Sequence, residues 1–289
     1  MQVLSLKQTQ LYLKRLGIEE MGRPTSDFLF ALHRAHVEKV AWQTIDLFAG
    51  KPVPIDYPHS LNHIMHNGGG YCFHLNGAFS VLLRSLGYDV SLHRAGVQPH
   101  GRAPKIDSFH VGLTVKISDD NQQEHTWLVD VGLGDMPYEP IPLIPGEYRQ
   151  GAHLYKLVQS GAAANGWRLE HDPRGAFIGV DFAAETVNNI AVFKPKHEHL
   201  SSSPDSTWVN LLLVQNRHKS GNNELRGCIF SQYEEQGTTK SEIPSRNTWF
   251  DILSEVFGEP LNHFTKLEKD DLWVKVLKTH EEWKRKQCS

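Results

Sequence analysis

The chain has 289 residues, a formal net charge of −3, and 39% hydrophobic and 22% charged residues. That length allows a large core and more than one compact unit, and the composition is that of an ordered globular protein. No basic excess points to nucleic acid, and no basic amphipathic tail points to a membrane surface. No run approaches the ~18 apolar residues of a spanning helix, so neither nucleic acid nor membrane is an expected partner. The opening MQVLSLKQTQLYLKRLG lacks a long apolar stretch and a small-residue cleavage site, and a secretory signal is not expected. Cys72, Cys228 and Cys288 are odd in number and far apart, which fits free thiols in a reducing, cytoplasmic setting rather than a disulfide framework. No Cys-x-x-Cys pair is present, the His-x-x-x-His spacing at His59 and His63 is not read as a metal pair, and no metal is expected.

Residues 5–90 read as mainly helical. Leu11, Leu13 and Leu16 fall near helical spacing ahead of Gly17. A second helix opens at Thr25 or Ser26 as N-cap and carries Phe28, Leu32, Ala35 and Val40 on one face. SLNHIMHN is a short helix stopped by Gly68–Gly70. Leu75, Phe79, Leu82 and Leu86 then predict a helix over about 73–86, closed by Gly87.

Beyond Gly87 the period changes to alternation. YDVSLHRAGV, SFHVGLTVKI and HTWLVDVGLG read as strands, the last two joined through SDDNQQE as a hairpin. Further strands are expected at 154–159, 167–170 and 187–193, which together suggest a small barrel or curved sheet. PKHEHLSSSPD, residues 195–205, reads as a loop and a boundary. STWVNLLLVQNRH and ELRGCIFSQYE read as strands, NTWFDILSEVFG as an amphipathic helix bearing Phe250, Leu253 and Phe257, and KDDLWVKVLKTHEEWKRKQC as a charged terminal helix.

Cys72 opens a helix directly after three glycines, in GGGYCFHLNGAF. The first helical turn has unpaired N–H groups and the positive end of the dipole, which favour a thiolate and can face a developing oxyanion. A cysteine nucleophile also needs a base and a group to orient it. His110 and Asp130 are the best placed. A hairpin turning at Asp119–Asn121 pairs 110 with 130, 112 with 128 and 114 with 126; a shifted turn places His110 and Asp130 diagonally. A cysteine at a helix start is in most proteins a small buried hydrophobe, and a histidine on a strand is more often structural, so the residues alone leave both readings open. His33, His36, His93, His100 and His125 read as surface or packing residues.

Several segments resemble the arylamine N-acetyltransferases, in that family's order and from about residue 10 to 260. YLKRLGIEEMGRPTSDFLFALHRAHVEKVAWQTIDL looks like the opening helices, and GGYCFHLNGAFSVLLRSLGYDV is similar to the active-site signature. SFHVGLTV and WLVDVGLGD look like the histidine and aspartate segments, and SSSPDSTWVNLLLVQNR like the Ser-Thr-x-Pro-x-Ser-x-Phe segment. The resemblance implies an α+β fold of three domains around a cysteine-protease-like core. They are a helical bundle (1–88), a β-barrel (89–200) and an α/β lid (201–289). It implies Cys72 as nucleophile, His110 as base and Asp130 as the residue orienting it. The implied reaction is ping-pong transfer from acetyl-CoA, the co-substrate, to an arylamine, arylhydrazine or hydroxylamine.

By position, the resemblance puts Trp42, Val97, Leu133 and Trp208 around the acceptor, although Trp42 and Trp208 can equally be core. The sequence departs from the family at four places. Gly68 replaces its arginine and Gln43 its glutamate, which implies that two opposite charges left together with nothing unpaired. His74 stands two residues after the thiol, where it can perturb a thiolate or point away. Asp135 adds negative charge, expected near the active-site mouth. The same thiol chemistry also fits an amide synthase or a transglutaminase-like or papain-like hydrolase, and the departures leave room for a non-catalytic paralogue that binds CoA or aromatics.

Overall fold

The computed structural model describes residues 2–119, 121–135 and 137–287; Cys288 lies outside them. The N-terminal third contains α1 (Leu6–Arg15), α2 (Ser26–Lys39), β1 (Trp42–Gln43), α3 (Ile45–Phe48), α4 (Tyr57–Met65) and α5 (Cys72–Ser85). Side-chain caps explain the starts. Ser5 and Gln8 form a capping box on α1, Thr25 accepts from the Phe28 N–H on α2, and Asp56 accepts from the His59 N–H on α4. Gly17 and Gly87 follow α1 and α5 with φ of 72° and 93°, a conformation that glycine adopts without penalty. The buried stripe of α2 is Leu29, Leu32, His33, His36 and Val37; of the expected set Leu32 and Val40 are buried and Phe28 and Ala35 pack partly buried against the same core, while Leu11 of α1 is exposed and Tyr12 is buried. α5 is buried from Cys72 through Leu83.

Next come β2 (Asp89–Gln98), β3 (His110–Ser118), β4 (Glu124–Val129), β5 (Ile141–Pro142), β6 (Gly146–Gln150), β7 (His153–Gln159), β8 (Trp167–Glu170) and β9 (Gly179–Val187). They form one antiparallel sheet in the order β5-β4-β3-β2-β9-β8-β7-β6, curled into a nearly closed barrel. The hairpin register differs from the expected one: Leu113 faces Val129, Thr114 faces Leu128 and Lys116 faces Thr126. The turn closes one residue later than expected. Asp119 N–H donates to the Gln123 carbonyl at 3.0 Å, and the Asp119 carboxylate accepts from the N–H groups of Asn121 and Gln123. Residues 187–193 are not a strand: β9 ends at Val187 and Ile190–Phe193 is a 3-10 turn.

α6 (Lys194–Ser202) occupies the stretch expected to be a loop. Pro195 sits in its first turn, where a missing N–H costs nothing. β10 (Leu213–His218), β11 (Gly221–Arg226), β12 (Ile229–Glu234) and β13 (Gly237–Glu242) follow, then α7 (Arg246–Glu255) and α8 (Lys266–Gln287). The second sheet runs β1-β10-β11-β12-β13, so its first strand comes from the N-terminal third, with Trp42 opposite Gln215 and Gln43 opposite Val214. Three apolar cores result. One joins α1–α5 to β2 and β3, one fills the barrel around Tyr155, Leu169 and Phe182, and one lies under α7 and α8 around Trp249, Phe257 and Val276. The fold is α+β.

Candidate active site

Cys72 is the first residue of α5, after Tyr71 in extended conformation, and is 2% exposed. Its Sγ lies 3.6 Å from the Phe109 carbonyl, which accepts a weak hydrogen bond from the thiol. His110 opens β3 and Asp130 immediately follows β4; both are buried. His110 Nε2 donates to Asp130 Oδ2 at 2.6 Å. Its other ring nitrogen, Nδ1, has no hydrogen-bond partner. Burial opposes charge on this imidazole, but Asp130 and then Cys72 outweigh it and push its ionisation up to about 10. The ring is therefore an imidazolium at neutral pH. The two residues meet on a diagonal, since the β3–β4 ladder begins at Leu113 and Val129 while His110 stays paired with Ala95 of β2.

Asn76, which the sequence reading passed over, ties these parts together. One turn beyond Cys72 on α5, its Nδ2 donates to Asp130 Oδ1 at 2.8 Å and to the Val111 carbonyl at 2.6 Å, and its Oδ1 accepts from the Val131 N–H at 2.9 Å. The helix that carries the thiol is thus bonded to both strands that carry the imidazole and carboxylate. Gly132 completes the contact. Its N–H donates to Asp130 Oδ1, and a Cβ there would come within 2.8 Å of Cys72 Cα.

A cleft of about 550 Å³ opens beside Phe109 and is lined by Val97, Arg102, Lys105, His199 and Trp208 among others. Val97 and Trp208 therefore share one space. Trp42 reaches it through an edge-to-face contact with Trp208, at 5.4 Å between ring centroids, and is itself 8% exposed in the core. Leu133 is not among the residues lining the cleft; it packs in the barrel core and borders a separate small cavity with Trp42 and Val131.

The departures resolve individually. His74 is buried, hydrogen-bonds the Val53 carbonyl at 2.9 Å and packs its ring on Tyr71 and His197. Burial lowers its ionisation to about 4, so it is neutral. Asp135 is not at the cleft. It is buried 3.1 Å from His171 Nε2 and accepts from the Ala176 N–H; burial works against its charge, but His171 holds the carboxyl at about 2. It borders a different cavity, of about 510 Å³, with residues of the second sheet. Gln43 does lie against the glycine run, its N–H donating to the Gly70 carbonyl. The room a side chain at Gly68 would need is filled by the His63 ring. Beside Gly69, both oxygens of the buried Glu259 carboxyl lack hydrogen-bond partners.

Residues 25–265 match the family model described as N-acetyltransferase. The arylamine N-acetyltransferase of Mycolicibacterium smegmatis is 30% identical over 275 residues, covering 93% of this chain and 98% of that protein. The arylamine N-acetyltransferase / N-hydroxyarylamine O-acetyltransferase of Salmonella typhimurium is 24% identical over 259 residues, 87% and 88% of the two chains. The solved arylamine N-acetyltransferase of Mycobacterium marinum in complex with CoA superposes with a TM-score of 0.81 at 25% identity, over 94% of this chain and 99% of that one. The barrel, the helices and the family match define an acyltransferase. The chain belongs to the arylamine N-acetyltransferase family.

Proposed function

We propose that this chain moves an acetyl group from acetyl-CoA to an aromatic amine or hydrazine by a ping-pong route through acetyl-Cys72. The observation that carries the reading is the buried Cys72–His110–Asp130 arrangement at the start of α5, bonded through Asn76.

The Cys72 thiolate attacks the thioester carbonyl, with N–H groups of the first turn of α5 available to the oxyanion. The intermediate collapses with loss of CoA, which leaves as the thiol after taking the His110 proton. An amine then adds to acetyl-Cys72, His110 accepts its proton, and the Cys72 thiolate is expelled. Asp130 keeps the imidazole oriented and supports its charge throughout. Phe109, Val97 and Trp208 in the cleft suit an aryl ring, and Arg102 and Lys105, which line it as well, suit the CoA phosphates. N-hydroxyarylamines fit the same second half-reaction. In this reading residues 1–88, 89–200 and 201–289 act as three units, the first presenting the thiol and the second the imidazole and carboxylate. A cytoplasmic setting would keep the thiol reduced.

Intact-protein mass spectrometry after mixing with acetyl-CoA, without amine, tests the proposal. A single acetyl adduct is expected on the wild type and not on Cys72→Ala, and an anisidine is expected to discharge it. A wild type that stays unacetylated while iodoacetamide still alkylates Cys72 would move the reaction to another acyl donor.

A further inference from the structure

Away from the thiol, one cluster of side chains has no task in this chemistry. Asp46 of α3, His63 of α4 and His263, between α7 and α8, bring three ligand-type atoms within 4.8 Å of one another. The carboxylate stands between two imidazoles, with His263 Nε2 2.7 Å from Asp46 Oδ1 and His63 Nε2 3.5 Å from Asp46 Oδ2. The rings meet edge to face at 4.7 Å between centroids. The Asp46 side chain is 5% exposed, His63 12% and His263 30%, so the cluster is closed on the inside and open beside His263. Gln43 Nε2 donates to Asp46 Oδ2 at 2.6 Å, the kind of outer hydrogen bond that orients a ligating carboxylate.

Two polar groups here lack hydrogen bonds. His63 Nε2 is buried and makes none. Glu259 is fully buried with both carboxyl oxygens unpartnered, and its Oε1 occupies the space of a Cβ on Gly69, a position that also touches Gln43 Cγ. The orphan carboxyl therefore borders the pocket at the very side chain that holds Asp46. Buried polar atoms without partners are rare enough to need a reason. A cation supplies one for His63, by taking its lone pair beside the Asp46 carboxylate.

We propose that Asp46, His63 and His263 bind a borderline divalent transition-metal ion, best matched by zinc, with solvent completing the shell on the open side. Two imidazole nitrogens and one carboxylate oxygen are a three-residue set that zinc accepts, whereas calcium and magnesium call for mostly oxygen ligands. Ligand atoms around tetrahedral zinc stand about 3.3 Å apart; here His263 Nε2 is 2.7 Å from Asp46 Oδ1, His63 Nε2 is 3.5 Å from Asp46 Oδ2, and the three ligand atoms lie within 4.8 Å of one another. The ion is a staple rather than a reactant. It joins α3 and α4 to the C-terminal segment, and the His63 ring it holds is the one packed in the space beside Gly68, at the start of the run leading to Cys72.

The test uses the full-length Cys72→Ala protein, so that the reactive thiol does not compete for metal. Titration with zinc against a chromophoric chelator, cobalt(II) absorption spectra and thermal unfolding are followed in this protein and with His63→Ala or His263→Ala added. One equivalent bound at micromolar zinc, a four-coordinate cobalt spectrum and a raised unfolding midpoint are expected. Either histidine substitution should weaken binding by at least about tenfold, the scale set even by losses among outer partners. His263 is partly exposed, so its variant should still fold, with a metal-free midpoint lowered by the lost contact to Asp46, and the binding and cobalt readouts separate that cost from loss of metal. Absence of binding at micromolar zinc, or one equivalent bound with undiminished affinity in both histidine variants, would overturn the proposal.

Discussion

Asn76 makes three hydrogen bonds from inside a helix whose buried side is mostly apolar. Replacing it with alanine leaves the Val111 carbonyl and the Val131 N–H buried and unmatched and removes one of the two donors to Asp130 Oδ1. The expected cost is about 1–3 kcal/mol of stability. A misdirected imidazole should lower kcat/KM for arylamine acetylation by up to about 100-fold. Urea unfolding and steady-state kinetics on Asn76→Ala measure the two effects, and a variant with wild-type values for both would remove Asn76 from the site. The sequence did hold a signal for this residue. A position four residues after Cys72 shares its helix face, and a lone asparagine among Leu75, Phe79 and Leu82 is out of place in a core stripe. Glu259 had no comparable signal, since only the folded chain shows that its carboxyl makes no hydrogen bond.

At the scale of elements, the active site depends on how two strands end. His110 starts β3 and Asp130 follows β4, so their pairing is a property of the hairpin. Its pH dependence has a definite sign. His110 titrates at about 10 in the folded protein, above its ordinary value of 6.5, so the stabilisation from its charged form is complete below 6.5 and is lost as pH rises through about 10. In Asp130→Asn this loss should largely vanish. Urea midpoints measured from pH 6 to 10 should fall more steeply for the wild type than for the variant, and parallel curves would contradict the assignment. The helices and most strands were legible because caps, terminal glycines and alternation are local: Thr25 was a named cap, and Trp167–Glu170 matches the expected strand. The hairpin register was not, because the Asp119 side chain, not the hydrophobic pattern, decides where the turn closes. β13 is exposed at every residue and carries no apolar alternation to read, and Pro195 marks a helix start that resembles a loop.

For the whole molecule, the sheet shared between chain regions matters most. β1 pairs with β10, Thr44 Oγ1 accepts from the Leu213 N–H at 3.0 Å, and Arg15 donates to the Gly258 carbonyl. The barrel joins the same sheet through His153 and Asn222 at 2.8 Å. A fragment ending at Ser203 would strip these partners and bare the Leu213 and Trp208 contacts of the first core. It is expected to be aggregated or partly unfolded, and a soluble monomer with native-like near-ultraviolet circular dichroism would show otherwise. No order of residues in the sequence announced this pairing, because a two-residue strand is too short to have a period.

The pairing of β1 with β10 also sets a clock on synthesis. Thr44 and Leu213 are 169 residues apart, so a ribosome working at about 5–20 residues per second leaves the first strand waiting roughly ten to thirty seconds for its neighbour. During that interval Trp42 waits in the nascent chain for Gln215 opposite it and for the Trp208 ring, whereas the α5 thiol meets Phe109 and Gly132 much sooner. The indole, 8% exposed once the chain is folded, is thus open to solvent and chaperones for longest while the protein is being made.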